Sequence, residues 1–521
     1  MHEDRFLSNQ QLACKAAYES FCRGLKGAES AQALLLQKMV RSGVRSAFGA
    51  EHDMSAVHDI ASFRQRVPLR RYEDFKPYVD RLVANEKNVL CEAEVFQYIS
   101  SSGSTGAAKV IPVTREYFSD AFNPFFMTYL HGAMSLYPDW LEQGARTLNF
   151  KWDPLREKPV LGNGHTHVGM SQLNLAQEFD SPVFAEPGTT APWAVVPADI
   201  GQDLDRLYYR LRVACEYEVT QLVGINPAII AALPRLLEDY ADRLVEELET
   251  GTFAGKRIAA PNLTLASRIR QLRREQGRLL PRHLWSGMRR IICWDEGISG
   301  FYLDRVADLF GDDVRILPAP LAASEAPLAV HLVHEGVRGV MPYNAVFYEF
   351  LDVQKGESQT PLLLHELKIG GQYAVVVTQQ SGFYRYVLGD VLEVTGYLEG
   401  VPTVAYRGRY KPGGAPEGVL LRFMEQVAYA YDLDLVNFTF EESSGGSLTL
   451  LLELHQPKSA EEITRLSARI RQDFLSFPGR APYQLKAVRQ VLTGHFHSQW
   501  KGRVEAGLRP PQAKDRVVCP A

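Results

Sequence analysis

The chain has the sequence YISSSGSTGAAKVIP from Tyr98 to Pro112. β-Branched and aromatic residues at 95–99 predict a buried strand before the loop, and the apolar segment 110–113 predicts a short strand after it. Between these strands, hydroxyls and glycines can turn tightly and direct several N–H and O–H donors at one anion, while Lys109 adds a positive charge. We therefore predict a phosphate-binding loop, followed by a helix with Thr114 as its N-cap.

Two other interpretations of this loop fit the sequence less well. A Gly/Ser linker would be flexible and solvated, but linkers seldom lie between apolar strands or end at a lysine. The P-loop pattern G-x-x-x-x-G-K-[ST] does not fit either, because Lys109 follows Gly106 by three positions and Val110 comes next. The predicted phosphate-binding loop is therefore neither a flexible linker nor a P-loop.

Composition places the chain among soluble globular proteins. Of its 521 residues, 46% are hydrophobic and 23% are charged, and the formal net charge is −4. This charge gives no reason to expect nucleic acid or an anionic membrane as a partner. Six scattered cysteines without a C-x-x-C pair predict reduced thiols, and the charged start argues against a signal peptide. We expect a cytoplasmic monomer that does not insert into a membrane.

The pattern of elements along the chain predicts an α/β fold with two domains. Helical periodicity runs through 8–48, with a predicted apolar stripe of Leu34, Leu35, Met39, Val40 and Val44. Strands and helices alternate between 201 and 326, and strands dominate from 327 to 400 as an antiparallel subdomain. Charged residues with Gly/Pro breakers at 406–414 are typical of a hinge. We predict a large domain at 1–405 and a smaller, mobile α+β domain at 406–521.

Two histidines, His165 and His167, lie close together in the sequence GNGHTH. They could suggest a metal site, but no third ligand accompanies them, and ordinary surface or core histidines are the favoured interpretation.

Three sequence features occur in a fixed order along the chain. They are the loop at 98–112, the pair Ser324-Glu325, and the segment from Tyr384 to Asp390, YRYVLGD. Together they resemble the acyl-acid amido synthetases that conjugate auxin and jasmonate in plants, the Gretchen Hagen family of adenylate-forming enzymes, and their bacterial relatives. The resemblance covers most of the chain and extends to segments near 67–70, 284–303, 347–350 and 512–514.

The resemblance implies a role for each matched position. The triphosphate of ATP would be held by Ser101, Ser102, Gly103, Ser104, Thr105, Gly106 and Lys109. Ser324 and Glu325 match the family's second motif, in which the glutamate helps to hold Mg²⁺ beside the α-phosphate. Asp390 matches an aspartate that accepts hydrogen bonds from the ribose hydroxyls. Lys514 matches a C-terminal lysine that stabilises charge in the adenylation transition state.

Some positions in these motifs have another interpretation or differ from the family's pattern. For Tyr384 and Tyr386, strand packing is the favoured interpretation. Leu321 stands where the family often has an aromatic residue for adenine stacking, and Ala326 precedes Pro327 at the end of the second motif. Asp515 follows Lys514, and its negative charge could reduce the electrostatic help that the lysine gives.

The resemblance implies an ATP- and Mg²⁺-dependent enzyme with a large N-terminal adenylate-forming domain. Such an enzyme adenylates a small carboxylic acid, releases pyrophosphate, and transfers the acyl group to an amino acid or other amine. An acyl transfer to a thiol or alcohol remains an alternative, as does a non-catalytic nucleotide-binding protein. The sequence leaves the acid and the acceptor open.

Overall fold

The structure is a computed structural model that describes residues 9–101, 109–139, 146–150, 153, 155–156, 158–169, 191–303, 306–356, 358–412, 414–443, 445–510 and 513–520. The chain divides into two compact units that are discontinuous in sequence. The first comprises Met1–Trp140, Glu157–Ala185 and Pro320–Pro412; the second comprises Leu141–Arg156, Glu186–Ala319 and Gly413–Ala521. The last of these segments begins within the predicted hinge, and the predicted domain boundary at 405/406 stays a prediction.

The first unit begins with helices. In the described residues they are Asn9–Gly24, Ala28–Gly43, Ala47–Glu51, Ile60–Arg66, Tyr72–Val83, Arg115–Tyr117 and Asn123–Leu136, with a π-helical turn at Phe118–Phe122. Thr114 accepts a hydrogen bond from the backbone N–H of Tyr117 at 3.2 Å, as predicted for an N-cap.

The buried face of the helix Ala28–Gly43 differs from the predicted stripe. Leu34 is 63% exposed, whereas Leu36 is buried together with Met39 and Val40. Leu36 precedes these two residues by three and four positions, so all three share one helical face, whereas Leu34 does not. Gln32 is also on the buried face, where its amide donates to two backbone carbonyls and accepts from the N–H of Tyr348.

The loop identified in the sequence connects two paired strands. The strands Val95–Ser101 and Lys109–Thr114 are antiparallel, with Ser100 opposite Val110 and Ser101 opposite Lys109. The strand His167–Val168 pairs in parallel with the first of them. Both predicted strands are therefore confirmed, and they place Lys109 where the chain re-enters the sheet.

A seven-stranded antiparallel sheet forms the rest of the first unit, which confirms the predicted strand-rich region. In spatial order its strands are Leu321–Ala322, Pro327–Leu332, Val337–Val340, Val401–Arg409, Tyr386–Leu398, Gln372–Thr378 and Phe347–Asp352. Residues 406–409, which were assigned to the hinge, continue a strand of this sheet. Their side chains can therefore contact those of the neighbouring strand.

The second unit contains the predicted alternation of strands and helices. Four parallel strands have the order Thr147–Asn149, Gln221–Val223, Arg290–Cys293 and Arg315–Pro318. The described helices are Asp203–Ala214, Ala228–Asp239, Ala241–Thr250, Leu263–Gln276, Pro281–Leu284, Ser299–Leu303 and Val306–Phe310. A two-stranded ladder pairs Thr252–Phe253 with Lys256–Arg257. The parallel strands Thr147–Asn149, Gln221–Val223 and Arg290–Cys293 are short and buried along their whole length, as expected of a parallel sheet covered by helices.

The C-terminal part of the second unit has its own sheet and core cluster. Its strands are ordered Gln484–Gln490, Ser447–Leu454, Leu435–Ser443 and Val518–Pro520. The described helices here are Glu417–Ala430, Ala460–Ser476 and His495–Glu505. Leu466, Ile470 and Phe474 are buried at helical spacing, as predicted. Among the described helices, none is long and apolar enough to cross a membrane.

Candidate active site

Three side chains of the first unit form a chain of hydrogen bonds. The Nζ atom of Lys109 donates to the hydroxyl of Tyr386 at 2.9 Å, and that hydroxyl donates to Oε1 of Glu325 at 3.2 Å. Lys109 and Tyr386 are the first residues of their strands, while Glu325 lies in a turn closed by a hydrogen bond from Ala323 N–H to Ala326 O. Two of the predicted site residues are thus linked through a third side chain.

Lys109 also lies between two aromatic rings. Its Nζ atom is 5.5 Å from the ring centroid of Tyr72 and 5.6 Å from that of Tyr386, a cation–π arrangement. The Tyr72 hydroxyl accepts from the N–H of Val110 at 2.7 Å and donates to its carbonyl at 3.2 Å. Tyr72 therefore fixes the start of this strand as well as one side of the lysine. No pattern in the sequence indicates this role.

Glu325 is a buried acid without an ion pair among the described residues. It is 4% exposed, and burial raises the pKa of its carboxyl, an effect that Lys109 and Arg409 oppose. An ionised carboxylate in this position would be stabilised by a cation. The described residues contain no group of three or more His, Cys, Asp or Glu that could hold a metal ion. Mg²⁺ fits such a site when substrate phosphates provide further ligands.

Asp390 is paired with Arg409 on the neighbouring strand. The NH1 atom of Arg409 donates to Oδ1 of Asp390 at 2.7 Å, and the two residues are direct partners in the antiparallel register. The charge of Asp390 is the main reason that the pKa of Arg409 is raised. Oδ2 of Asp390 accepts no hydrogen bond from the described residues, which leaves it able to accept one from a ligand. Arg409 lies in the segment predicted as a hinge, so no sequence pattern indicated its pairing with Asp390.

The first three residues of the segment YRYVLGD have different surroundings. Tyr384 is packed as predicted: its hydroxyl donates to Leu90 O at 3.2 Å and its ring stacks on Phe48. Arg385 is buried in a two-bond ion pair with Glu349, at 2.9 and 3.1 Å. For Tyr386 the packing interpretation is incomplete, because its hydroxyl links Lys109 to Glu325.

The remaining residues predicted for nucleotide binding are only partly described. Ser102, Gly103, Ser104, Thr105 and Gly106 lie outside the described residues, and of Ser101 only the backbone pairing with Lys109 is described. Their role in phosphate binding stays a prediction.

Ser324 lies beside Glu325 in the same turn. It is partly buried, and its backbone carbonyl accepts from the Tyr117 hydroxyl at 3.3 Å. Tyr117 belongs to the short helix that Thr114 caps, so the helix after the loop also holds this turn in place.

Lys514 belongs to the second unit. Its side chain is exposed, and its Nζ atom is 4.4 Å from the ring centroid of Trp294. The adjacent Asp515 is engaged elsewhere: it forms an ion pair with Arg503 and accepts from Asn437 at 2.9 Å. Arg503 therefore compensates much of the negative charge that was expected to weaken the effect of Lys514.

His165, His167 and Leu321 have the following surroundings in the described part of the chain. His167 contacts the backbone carbonyl of Lys109 through Nε2 at 3.2 Å, and the ring of His165 lies 5.5 Å from that of Tyr98. Leu321 is half-buried at the start of the seven-stranded sheet.

The fold is that of an acyl acid amido synthetase. A solved structure described as "AtGH3.15 acyl acid amido synthetase in complex with 2,4-DB" aligns over 99% of this chain and 95% of its own, with a TM-score of 0.77 and 20% identity. A second structure, "GH3.15 acyl acid amido synthetase", covers 99% of this chain and 96% of its own with a TM-score of 0.76. Because the sequence identity is only 20%, this structural similarity establishes the fold and nothing more.

The chain belongs to the GH3 family. The GH3 family N-terminal domain matches residues 17–315, and the GH3 family central domain matches residues 339–409. Lys109 falls in the first range, and Tyr386, Asp390 and Arg409 in the second.

Two similar relatives are proteins of Arabidopsis thaliana. Indole-3-acetic acid-amido synthetase GH3.15 of Arabidopsis thaliana is 24% identical over 517 residues, which is 91% of this chain and 80% of the relative. Indole-3-acetic acid-amido synthetase GH3.6 of the same organism is 22% identical over 416 residues, or 73% of this chain and 67% of the relative.

Proposed function

We propose that the protein is an ATP- and Mg²⁺-dependent ligase that adenylates a small carboxylic acid and transfers the acyl group to an amino acid or another amine. The observation that carries this proposal is the set of contacts from Lys109 through Tyr386 to Glu325, because it places a cation and a buried acid at the exit of the Ser/Gly loop. Membership of the GH3 family and the names of its relatives support the same reaction.

The chemistry explains why such groups are needed. A carboxylate is a poor electrophile, because its negative charge repels nucleophiles and oxide is a poor leaving group. In the first half-reaction the acid attacks the α-phosphorus of ATP, pyrophosphate leaves, and a mixed anhydride remains. In the second, an amine attacks the acyl carbon and AMP leaves. The first step requires positive charge around a polyphosphate.

Each site residue discussed above would have a part in binding ATP. Lys109 would bind the triphosphate as a point charge beside the loop. Oδ2 of Asp390 would accept a hydrogen bond from a ribose hydroxyl, while Arg409 holds the other carboxylate oxygen in place. Glu325, with Ser324 beside it, would hold Mg²⁺, which neutralises phosphate charge and polarises the reacting phosphoryl group.

The two half-reactions need different surroundings. We propose that the part of the C-terminal domain that follows the strand Val401–Arg409 moves about the remaining predicted hinge residues, 410–414, and presents Lys514 to the α-phosphate during adenylation only. Rigid-body closure about a few loop residues is a common way to change a catalytic site between steps. We also propose that the protein is a cytoplasmic monomer that needs no nucleic acid partner, consistent with its net charge of −4.

A screen of pyrophosphate release would test the proposed function. Purified protein is incubated with ATP, Mg²⁺ and a panel of aryl and alkyl acids, with a mixture of amino acids, with coenzyme A, or without an acceptor. Release that depends on an acid and increases with an amino acid supports the amido synthetase. Release stimulated by coenzyme A would instead assign a thiol acceptor. Binding of ATP without exchange of pyrophosphate for any acid would favour a non-catalytic protein.

Glu325→Gln is expected to raise the Mg²⁺ concentration needed for half-maximal adenylation by on the order of tenfold, the size of one lost charge-assisted contact. A neutral amide has nearly the same size but is a poorer ligand for a hard cation. The measurement is a Mg²⁺ titration of pyrophosphate exchange. A titration curve that superimposes on that of the wild type would contradict the assignment.

The same substitution is expected to impair adenylation but to increase the stability of the folded protein at the higher pH. Burial raises the pKa of the Glu325 carboxyl in the folded state above its value in the unfolded chain. The protonated carboxyl therefore contributes to the free energy of unfolding at low pH, and this contribution is lost as the pH rises through the folded-state pKa. Glu325→Gln removes this ionisation. Urea unfolding at pH 5 and pH 8 should therefore show that the variant gains stability relative to the wild type at the higher pH.

A further inference from the structure

We propose that Tyr386 is a positioning residue that keeps Lys109 and Glu325 linked but apart, so that both charges remain available to a metal-bound polyphosphate. This inference rests on the proposed function for the identity of the ligand. It concerns a residue for which the sequence pattern indicated only strand packing.

The direction of each hydrogen bond in this group is determined by chemistry. A lysine ammonium can only donate, so the phenol oxygen of Tyr386 accepts from Lys109. The hydroxyl hydrogen of Tyr386 is then left to donate to Oε1 of Glu325, which lies 3.2 Å away. Because Tyr386 is 0% exposed, water does not compete for these bonds. One hydroxyl thus stabilises a cation on one side and an acid on the other.

Lys109 and Glu325 form no direct ion pair in the described part of the chain; each contacts the Tyr386 hydroxyl instead. A direct pair would have a strong attraction in a buried site, and it would neutralise the two charges that the nucleotide and its metal require. Lysine has a flexible stem, so the separation must be enforced by a stiffer group. Tyr386 occupies the space between them and satisfies both.

The position of the Tyr386 ring is fixed by the core. Its centroid lies 5.1 Å from that of Phe383 and 6.0 Å from that of Phe75. Its backbone pairs with Val377 on one side and makes a bridge to Arg70 on the other. Phenylalanine would retain these ring contacts and the strand pairing, so Tyr386→Phe removes the hydroxyl alone.

Tyr384→Phe is the matched control. Tyr384 is buried in the same segment and its hydroxyl also makes hydrogen bonds, but these go to backbone carbonyls of Met39 and Leu90. Both variants therefore lose one buried hydroxyl, and their free energies of unfolding should decrease by similar amounts. Only Tyr386→Phe breaks the link between Lys109 and Glu325.

The experiment measures MgATP binding by calorimetry and the Mg²⁺ dependence of pyrophosphate exchange. Tyr386→Phe is expected to raise the Kd for MgATP about tenfold or more, the size of a lost hydrogen bond to a charged group, with little change for Tyr384→Phe. In a Glu325→Gln background the same substitution should have a much smaller effect, because the partner for a direct ion pair is then neutral. A merely structural role would give equal effects in both backgrounds.

Several outcomes would overturn the inference. An unchanged Kd for MgATP in folded Tyr386→Phe does so, as do equal losses in Tyr384→Phe and Tyr386→Phe. If wild-type protein binds MgATP but exchanges no pyrophosphate with any acid, the proposed ligase function fails, whereas the calorimetric comparison still tests Tyr386.

Discussion

Replacing Lys514 with alanine is expected to slow formation of the acyl-adenylate by about 10²- to 10³-fold, the usual cost of losing one preorganised group at a developing charge. Attack of the amine on separately supplied acyl-adenylate should remain nearly unchanged, because the proposed domain movement presents Lys514 in the first half-reaction only. Single-turnover measurements of both half-reactions in the same variant test this.

The neighbourhood of Lys514 supports a substantial effect. Asp515 would reduce the help of the lysine if its charge were uncompensated, but Arg503 and Asn437 engage both of its oxygens. The contact of Lys514 with Trp294 is a cation–π interaction at an exposed side chain, worth about 0.5–1 kcal/mol.

Arg516→Ala provides the matched control for Lys514→Ala. Arg516 is also exposed and cationic and lies two positions further along the same segment. It should leave both half-reactions near their wild-type rates. Equal losses of both half-reactions in Lys514→Ala would indicate a folding or binding defect. No loss in either would mean that the lysine is inert, and Lys411 in the predicted hinge would become the next candidate.

Local patterns in the sequence predicted the elements of the fold well. The segments 95–99 and 110–113 form paired strands, and the alternation after 201 corresponds to a parallel sheet with helices. Such predictions succeed because periodicity and capping depend on neighbours in sequence. In the predicted stripe Met39 and Val40 are buried, but Leu34 is exposed, because apolar residues at 33–36 leave the phase of the helix open in the sequence.

The side chains that complete the site depend on strand register, which the sequence does not display. The register between the strands of Asp390 and Arg409 has irregularities at Val391/Leu392 and Val394/Gly396 that offset each other, so that Asp390 is opposite Arg409. The pair was missed because the predicted hinge began at 406, whereas the strand continues to Arg409. Tyr386 contacts Lys109, which is distant in sequence, so only the folded sheet reveals the link.

Lys109→Ala is the second substitution with a large expected effect. The Nζ atom of Lys109 contacts one hydroxyl and two aromatic rings, and within the described residues it forms no ion pair. Its charge is therefore available to phosphate oxygens, and a charge-assisted contact of this kind is worth about 1.5–3 kcal/mol. We expect the efficiency of ATP use to fall by about one to two orders of magnitude, measured as kcat/KM for ATP in pyrophosphate exchange.

The stability of Lys109→Ala decides how that loss is interpreted. Because no ion pair with a described residue is broken, thermal unfolding should change only by the small amount expected for weak cation–π contacts. Lys76→Ala is a suitable control, since Lys76 is an exposed lysine whose described partner is Asp80 on the same helix. Lys76→Ala should retain wild-type kinetics. Unchanged kinetics in a folded Lys109→Ala protein would instead remove the loop at 98–112 from the active site, because no other described residue places a cation at its exit.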